Sequence, residues 1–270
     1  MSDATDGPTF TLANLTYSYR ARRGHPSAAA VNGVSAEIRP GATAVLGLSG
    51  SGKTTLLNLL GLLAAAAVKP GEILLRGTGD YAALRTSDQV RLRRDTFGFV
   101  LQSAFLLPHF SCLENVAVPL ALAGVGRRER HERVEKLFHK ADKSDRLWKL
   151  IHKRPRDISG GERQRVAVLR AIVHDPLVLF ADEPLSSLDP LNAREMLKLL
   201  RHWLDGGMTP ESSVADRRRT LMLVSHDVST AVEFANGRCL VMRGGEMVRG
   251  PDCPVPDTRT ALVEMGAIQP

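Results

Sequence analysis

Residues 43–55 read TAVLGLSGSGKTT, and this stretch decides the fold. An apolar run suited to a buried strand enters Gly47, a glycine-rich turn leads to Lys53 and two threonines, and a second apolar run follows. The turn matches G-x-x-x-x-G-K-[ST], so Gly47, Leu48, Ser49, Gly50, Ser51, Gly52, Lys53, Thr54 and Thr55 read as a phosphate cradle. The glycines let backbone N–H groups turn inward around phosphate oxygens, and the helix that follows adds its positive end. Lys53 is expected to reach the β- and γ-phosphates of a nucleotide, and Thr54 to offer its hydroxyl to Mg²⁺.

Three further apolar runs end in the same abrupt way. FGFVL runs into Gln102, LVLFA into Asp182 and Glu183, and LMLV into Ser225 and His226. Short apolar runs suit buried parallel strands, and in open parallel sheets ligands bind beyond the carboxyl ends of the strands. Four such ends predict one site. Asp182 suits Mg²⁺, bound through water, and Glu183 suits activation or orientation of the attacking water. Gln102 suits Mg²⁺ or water and the sensing of a γ-phosphate, and His226 suits a γ-phosphate contact. A surface glutamine, a structural histidine and a helix-start acidic pair are the plainer readings of the same residues.

The bulk numbers bound the answer. With 270 residues, 43% apolar and 24% charged, the chain can bury a real core. A formal charge of +7 favours acidic partners without choosing among them. Three scattered cysteines, Cys112, Cys239 and Cys253, fit neither a metal site nor a disulfide framework, which points to a reducing compartment. The N-terminus carries no signal-peptide pattern. The most apolar run, Leu56 to Val68, is shorter than the roughly 18–20 residues of a membrane span and reads as a core helix. The chain is expected to be soluble by itself and to reach a membrane only through a partner.

The opening third reads as strands, residues 105–154 as helical and charge-laced, and residues 159–244 as alternating helix and strand, which implies βαβ units and a parallel sheet. Arg20 to Ala29 and Asp205 to Arg219 read as inserted surface loops, and residues 251–270 as a short Pro-rich tail.

A second glycine pair stands in ISGGERQRVA, where Ser159, Gly160, Gly161 and Glu162 open a helix. It suits an anion, and it is also a capping box, with Ser159 as cap and Glu162 reaching back. Asp189-Pro190 is likewise a natural helix start.

Together GLSGSGKTT, VLQ, ISGGERQRVA, LVLFADEP, SSLD and VSHD resemble the Walker A, Q-loop, signature, Walker B, D-loop and switch-histidine motifs of ABC ATPases, in that family's order, over about residues 8 to 250. The resemblance implies an α/β P-loop NTPase core with a mainly parallel sheet, an N-terminal antiparallel β-subdomain and an inserted helical subdomain. It implies one ABC ATPase domain over 1–270, with the β-subdomain and core at about 8–102 and 155–250 and the helical subdomain at about 103–154. ATP and Mg²⁺ are the implied ligands, the ion held by Thr54, Gln102 and Asp182. Glu183, His226 and Gln102 are the implied catalytic residues. Ser159, Gly160, Gly161 and Glu162 are implied to close on the ATP of a second copy, so the chain must pair head to tail with itself or a relative. Asp189 belongs to the D-loop. Tyr19 falls where the family stacks an aromatic on adenine, with Tyr17 as its rival.

TLLNLLGLL and residues 92–124 look like the ATPases of lipoprotein-export, macrolide-export and cell-division systems. The implied partner is a membrane permease docked on residues 103–125, with apolar FLLPHF as contact surface or, alternatively, as core. The implied location is the cytoplasmic side of a bacterial inner membrane. No nucleic acid is expected, and a soluble ABC protein acting on ribosome or DNA is the alternative. Leu185-Ser186-Ser187 departs from the export subgroup toward sugar importers, and Ile158 replaces the usual leucine.

Overall fold

The computed structural model describes residues 7–19, 29–64, 68–142, 146–186, 188–208 and 219–269, in two units. The first unit, Met1–Val90 with Thr220–Pro270, opens with β1 (Phe10–Ser18), β2 (Ala29–Ile38), β3 (Gly41–Leu46), α1 (Lys53–Leu60), β4 (Ile73–Leu75) and β5 (Gly79–Asp80). The boundary falls within α2 (Thr86–Asp95). The second unit, Arg91–Arg219, holds β6 (Phe97–Val100), α3 (Cys112–Leu122), α4 (Arg127–Ala141), α5 (Gly160–Ile172), β7 (Val178–Asp182) and α6 (Pro190–Leu204). The chain then returns to the first unit with β8 (Thr220–Val224), α7 (Val228–Phe234), β9 (Cys239–Arg243), β10 (Glu246–Arg249) and α8 (Thr258–Met265).

In the first unit an antiparallel sheet runs in the order β2-β1-β4-β5. Phe10, Leu12 and Leu15 of β1 are buried against Ile38 and Val34 of β2 and Ile73 of β4. β3 lies between β8 and β9 and pairs with both in parallel, and β10 pairs antiparallel with β9. Five of the six β3 residues are buried, as expected of a strand covered on both faces. The fold is thus mixed α/β, with a mainly parallel group of strands around the phosphate loop, as the sequence implies.

The apolar run that reads as one helix from Leu56 to Val68 stops early. α1 ends at Leu60, the Gly61 amide bonds back to Leu57 O, and Leu62 takes φ 59. A left-handed leucine cannot continue a right-handed helix. Residues 65–67 lie outside the described set, as do 20–28 and 209–218, which hold most of the two expected surface loops.

In the second unit β6 and β7 pair in parallel, and Phe97 meets Phe180 edge-on at 5.5 Å between centroids. α5 buries Val166, Val168, Leu169 and Ile172. Arg219 is also buried. It pairs with Asp175 at 2.6 Å, donates to the Trp203 carbonyl and lies over the indole at 5.4 Å. A buried arginine needs such company.

The reading of residues 251–270 as only a Pro-rich tail misses α8. Asp257 caps it by accepting from Thr260 N at 2.7 Å, Gly266 ends it at φ 77, and Arg249 of β10 grips Glu264. Cys112 and Cys239 are buried free thiols and Cys253 is exposed. No helix among the described residues is long and apolar enough to cross a membrane.

Candidate functional site

Strand register carries the site. In the first unit Val45 of β3 pairs with Val224 of β8. Gly47 and His226 each lie two residues beyond that pair, so both emerge at the same end of the sheet. In the second unit Val100 of β6 pairs with Ala181 of β7. Gln102 and Glu183 each lie two residues beyond it, with Asp182 one step nearer. Within the first unit the phosphate loop thus goes with His226, and within the second Gln102 goes with the two carboxylates.

The loop is shaped as a cradle. Gly47, Gly50 and Gly52 have φ of 157°, 76° and 100°. A Cβ on Gly47 would meet Ser51 Oγ at 2.3 Å and Met242 O at 2.5 Å, and one on Gly52 would meet Ala30 O at 2.1 Å. Backbone carbonyls therefore exclude a side chain at Gly47 and at Gly52. α1 begins directly after Gly52 with no side-chain cap and no acidic residue in its first turn. A helix start of this kind, with its positive dipole end, suits an anion. Lys53 is buried, with Nζ donating to Gly47 O at 2.8 Å and Leu48 O at 3.0 Å. An ammonium held on two backbone carbonyls of the loop suits a polyphosphate.

Tyr19 stands beside this loop. Its hydroxyl is 3.1 Å from Thr55 Oγ1, and its ring meets the Tyr17 ring edge-on at 5.1 Å. Tyr17 thus acts as a buttress, and Tyr19, 53% exposed, offers the open face. His226 is exposed. It lies between buried Ser225, whose Oγ accepts from Asp227 N at 3.1 Å, and Asp227, which caps α7.

In the second unit Glu183 has φ 52, an uncommon conformation for a glutamate. The Ser186 amide and hydroxyl both donate to its carbonyl, at 3.3 and 3.1 Å, and hold that turn. Such strain in a non-glycine residue clusters at functional sites. Asp189 caps α6 by accepting from Leu191 N and Asn192 N at 3.0 and 2.9 Å. These bonds, those to Asn192 first, hold its carboxyl below the usual carboxylate range.

α5 opens with a complete capping box: Glu162 N donates to Ser159 Oγ at 3.2 Å, and Ser159 N donates to Glu162 Oε2 at 2.7 Å. Burial pushes the Glu162 carboxyl up, but the Ser159 hydrogen bonds and the nearby Arg165 and Lys153 outweigh it and leave it lowered. The capping reading of SGGE is thus realised in full. A Cβ on Gly161 would meet the Asn192 side chain at 2.9–3.2 Å, whereas one on Gly160 would find only Arg163 Nη2 at 3.8 Å. Gly161 is needed for packing, and Gly160 leaves an open approach.

Sequence reasoning missed Asn192, which donates to Asp189 Oδ2 and abuts Gly161, so it joins the D-loop acid to the signature turn. It also missed Asn115. This residue is wholly buried and holds the 107–111 turn through Leu107 N at 2.7 Å and the carbonyls of Leu107, Phe110 and Ser111. That clasp leaves Phe105, Leu107 and Phe110 68%, 42% and 41% exposed, which argues against the core reading of FLLPHF. Among the described residues no group of three or more His, Cys, Asp or Glu is arranged to hold a metal.

Comparison with known proteins fits this geometry. The profile of the ABC transporter family matches residues 31–186, more than half of the chain. The macrolide export ATP-binding/permease protein MacB of Marinobacter nauticus is 34% identical over 93% of this chain and 36% of its own length. The protein of the same name from Azoarcus sp. strain BH72 is 36% identical over 90% of this chain and 34% of its own. The chain thus spans about a third of the curated relatives it matches. The ATP-binding cassette MJ0796, solved as a dimer in a post-hydrolysis state with ADP and Pi, superposes with a TM-score of 0.71 at 28% identity, over 89% of this chain and 97% of that one.

Proposed function

The chain belongs to the ABC transporter family as an ATP-hydrolysing cassette, and from that premise we propose that two copies close head to tail on two ATP molecules and so drive a membrane permease. The observation that carries this reading is the difference between the two glycine turns. The loop before α1 is a cradle closed by its own lysine, while the turn before α5 is self-capped and open at Gly160. Each chain has one of each, so a complete pocket needs a second chain.

The roles follow from chemistry. Lys53 and the loop amides hold the β- and γ-phosphates, and Tyr19 stacks on the base. Glu183 takes the proton of the attacking water, and His226 steadies the γ-phosphate as charge moves toward the leaving oxygen. Mg²⁺, held by Thr54, Gln102 and Asp182, would supply neutralisation of the phosphate charge. Ser159, Gly160, Gly161 and Glu162 complete the pocket of the other copy, and Asp189, tied to the same turn through Asn192, lies at that junction.

The exposed Phe105, Leu107 and Phe110 suit docking on the permease. On this reading the cassette works at the cytoplasmic face of a bacterial inner membrane, held there by its partner. Phe105→Asp is expected to abolish co-purification with the permease and to spare ATP binding.

Glu183→Gln tests the core of the proposal. It should bind ATP, elute from a sizing column as a dimer only with ATP, and turn over about 10²–10⁴-fold more slowly. Parent activity should rise more steeply than linearly with protein concentration. Hydrolysis by Glu183→Gln at the parent rate, or a parent rate strictly proportional to concentration, defeats the reading.

A further inference from the structure

The positive charge of the chain is concentrated in one place. Between residues 127 and 156 stand twelve Lys and Arg against five Asp and Glu, an excess of seven that equals the +7 of the whole chain. The rest of the chain is neutral in sum. Within this basic stretch two parts differ. On α4 the signs are laced together: Arg128 pairs with Glu132 at 2.9 Å and Arg133 with Glu129 at 2.5 Å, the pattern of a solvated helix face. Residues 146–156 instead hold Arg146, Lys149, Lys153, Arg154 and Arg156, all exposed, and no acidic residue. Leu147, Leu150 and Ile151 are buried and root the segment.

Two sets of contacts join this segment to its surroundings within the second unit. His139 of α4 stacks on Trp148, with centroids 4.0 Å apart and planes at 22°. The end of α4, where Lys136 and Lys140 are exposed, is thereby tied to the turn that carries Lys149. On the other side Cys112 N donates to Lys153 O at 2.8 Å and Leu113 N to Ile151 O at 2.9 Å. The basic segment is thus fastened to the start of α3, just after exposed Phe110. Cations and exposed apolar side chains lie next to each other.

We propose that residues 136–156 form a cationic apron that binds the anionic phospholipid headgroups surrounding the membrane partner. Charge complementarity supports a negatively charged surface, and each Lys or Arg close to such a bilayer gains about fivefold in partition. Position selects lipid: a surface flanking a contact with a membrane-embedded protein faces headgroups. Single-stranded nucleic acid is the poorer occupant, because it needs free aromatic faces for its bases, whereas Trp148 is stacked on His139 and Phe138 is buried. The orientation of the apron rests on the permease-docking reading, but its affinity for anionic lipid does not. The cassette would then hold the membrane by two contacts of different chemistry, one apolar and one weakened by salt.

The test uses the full chain and vesicles without any permease. Glu162 and Glu114 lie near Lys153 and Arg154 and offset part of their charge, so the variant chosen is the pair Lys136→Gln and Lys149→Gln. The control pair is Arg243→Gln and Arg259→Gln, exposed in the first unit, which lowers net charge equally. Sedimentation is followed with vesicles of phosphatidylcholine alone and with about 30% phosphatidylglycerol. The parent should bind only the anionic vesicles, with partition falling at least about tenfold between about 0.05 and 0.3 M salt. The apron pair should lose about 25-fold and the control pair less than about twofold. Basal ATPase activity should be unchanged in both pairs. Should the apron pair fail to fold, Lys149→Gln alone decides, with a loss of about fivefold. Equal losses in the two pairs would show that net charge and not place matters, and would overturn the inference. So would a parent that ignores phosphatidylglycerol, or one that retains a DNA duplex or an acidic protein but no vesicle. Failure of docking is read separately: Phe105→Asp that still co-purifies with the permease removes that reading and leaves vesicle binding standing.

Discussion

α1 and α5 both begin after closely spaced glycines, and both helix starts suit an anion, yet they are finished in opposite ways. α1 has a left-handed Gly52 at its cap position, no side-chain cap and a buried lysine as its first residue. α5 has Ser159 and Glu162 satisfying each other's amides. The difference teaches that a capping box need not compete with ligand binding. In the proposed composite site it fixes the shape of a surface that a ligand held by another chain will meet. The α1 start instead carries a positive charge of its own, Lys53, as its first residue.

Removing that charge gives the largest expected effect. Lys53→Ala should weaken ATP binding about 10- to 100-fold, the worth of a charged hydrogen-bonded contact to phosphate, measurable by titration with a fluorescent ATP analogue. No single change within Ser159–Glu162 should weaken binding by the isolated monomer to that extent. A Gly161 variant that did so would break the comparison, because it would place the second turn in the chain's own site.

The next effect concerns the glycines. Gly52→Ala forces a methyl to within 2.1 Å of Ala30 O at φ 100, so it should destabilise the fold by about 1–3 kcal/mol and distort the cradle. Gly160→Ala meets only Arg163 Nη2 at 3.8 Å. It should be neutral or stabilising by up to about 1 kcal/mol in a melting experiment, while reducing ATPase activity through the obstructed approach of the other copy. Gly161→Ala should fall between, and Asn192→Ala in the same chain should restore part of its stability, since the clash is with that side chain.

These contrasts mark how far the sequence could be read. The phosphate loop, the four strand ends, the Asp189-Pro190 start and the SGGE box were legible because each rests on residues adjacent in the chain. The length of α1 was not, because the turn of Gly61 and left-handed Leu62 is a backbone event inside an apolar run. α8 was hidden behind the prolines that precede it, although Asp257 and Gly266 bracket it. Gln164, Arg170, Asn115 and Asn192 were illegible for a different reason. Each is an ordinary polar residue of a helix, and its partner is a distant backbone carbonyl, an adjoining turn or a neighbouring glycine. Only the fold reveals that Gln164 donates to Leu101 O and Arg170 to Ala104 O and Phe105 O. Tyr19 was half legible: the sequence left Tyr17 as its rival, and the hydrogen bond to Thr55 favours Tyr19.

The smallest effect sharpens the comparison most, because the molecule contains a control. Ser111 and Glu114 build the same box at the start of α3. Ser159→Ala and Ser111→Ala should each cost about 1 kcal/mol of stability. Only Ser159→Ala should also flatten the concentration dependence of ATPase activity, since in the proposed composite site only that turn meets a second copy's nucleotide. Acid should expose the shared physics. The Ser111 amide and hydroxyl hold Glu114 below the ordinary carboxylate range, and Glu162 is lowered likewise despite its burial. A carboxylate lowered in the folded state contributes stability that is fully present above its unfolded pKa, about 4.3, and is lost as pH falls through the lower folded value. The gap in melting temperature between each serine variant and the parent should therefore be constant near neutrality and shrink for both below about pH 4. A gap that persists unchanged in acid would mean that the bond between the serine hydroxyl and the glutamate carboxylate contributes nothing, the backbone N–H bond to the glutamate being kept in both variants. Equal loss of cooperativity in both variants would mean that the α5 start has no role the α3 start lacks.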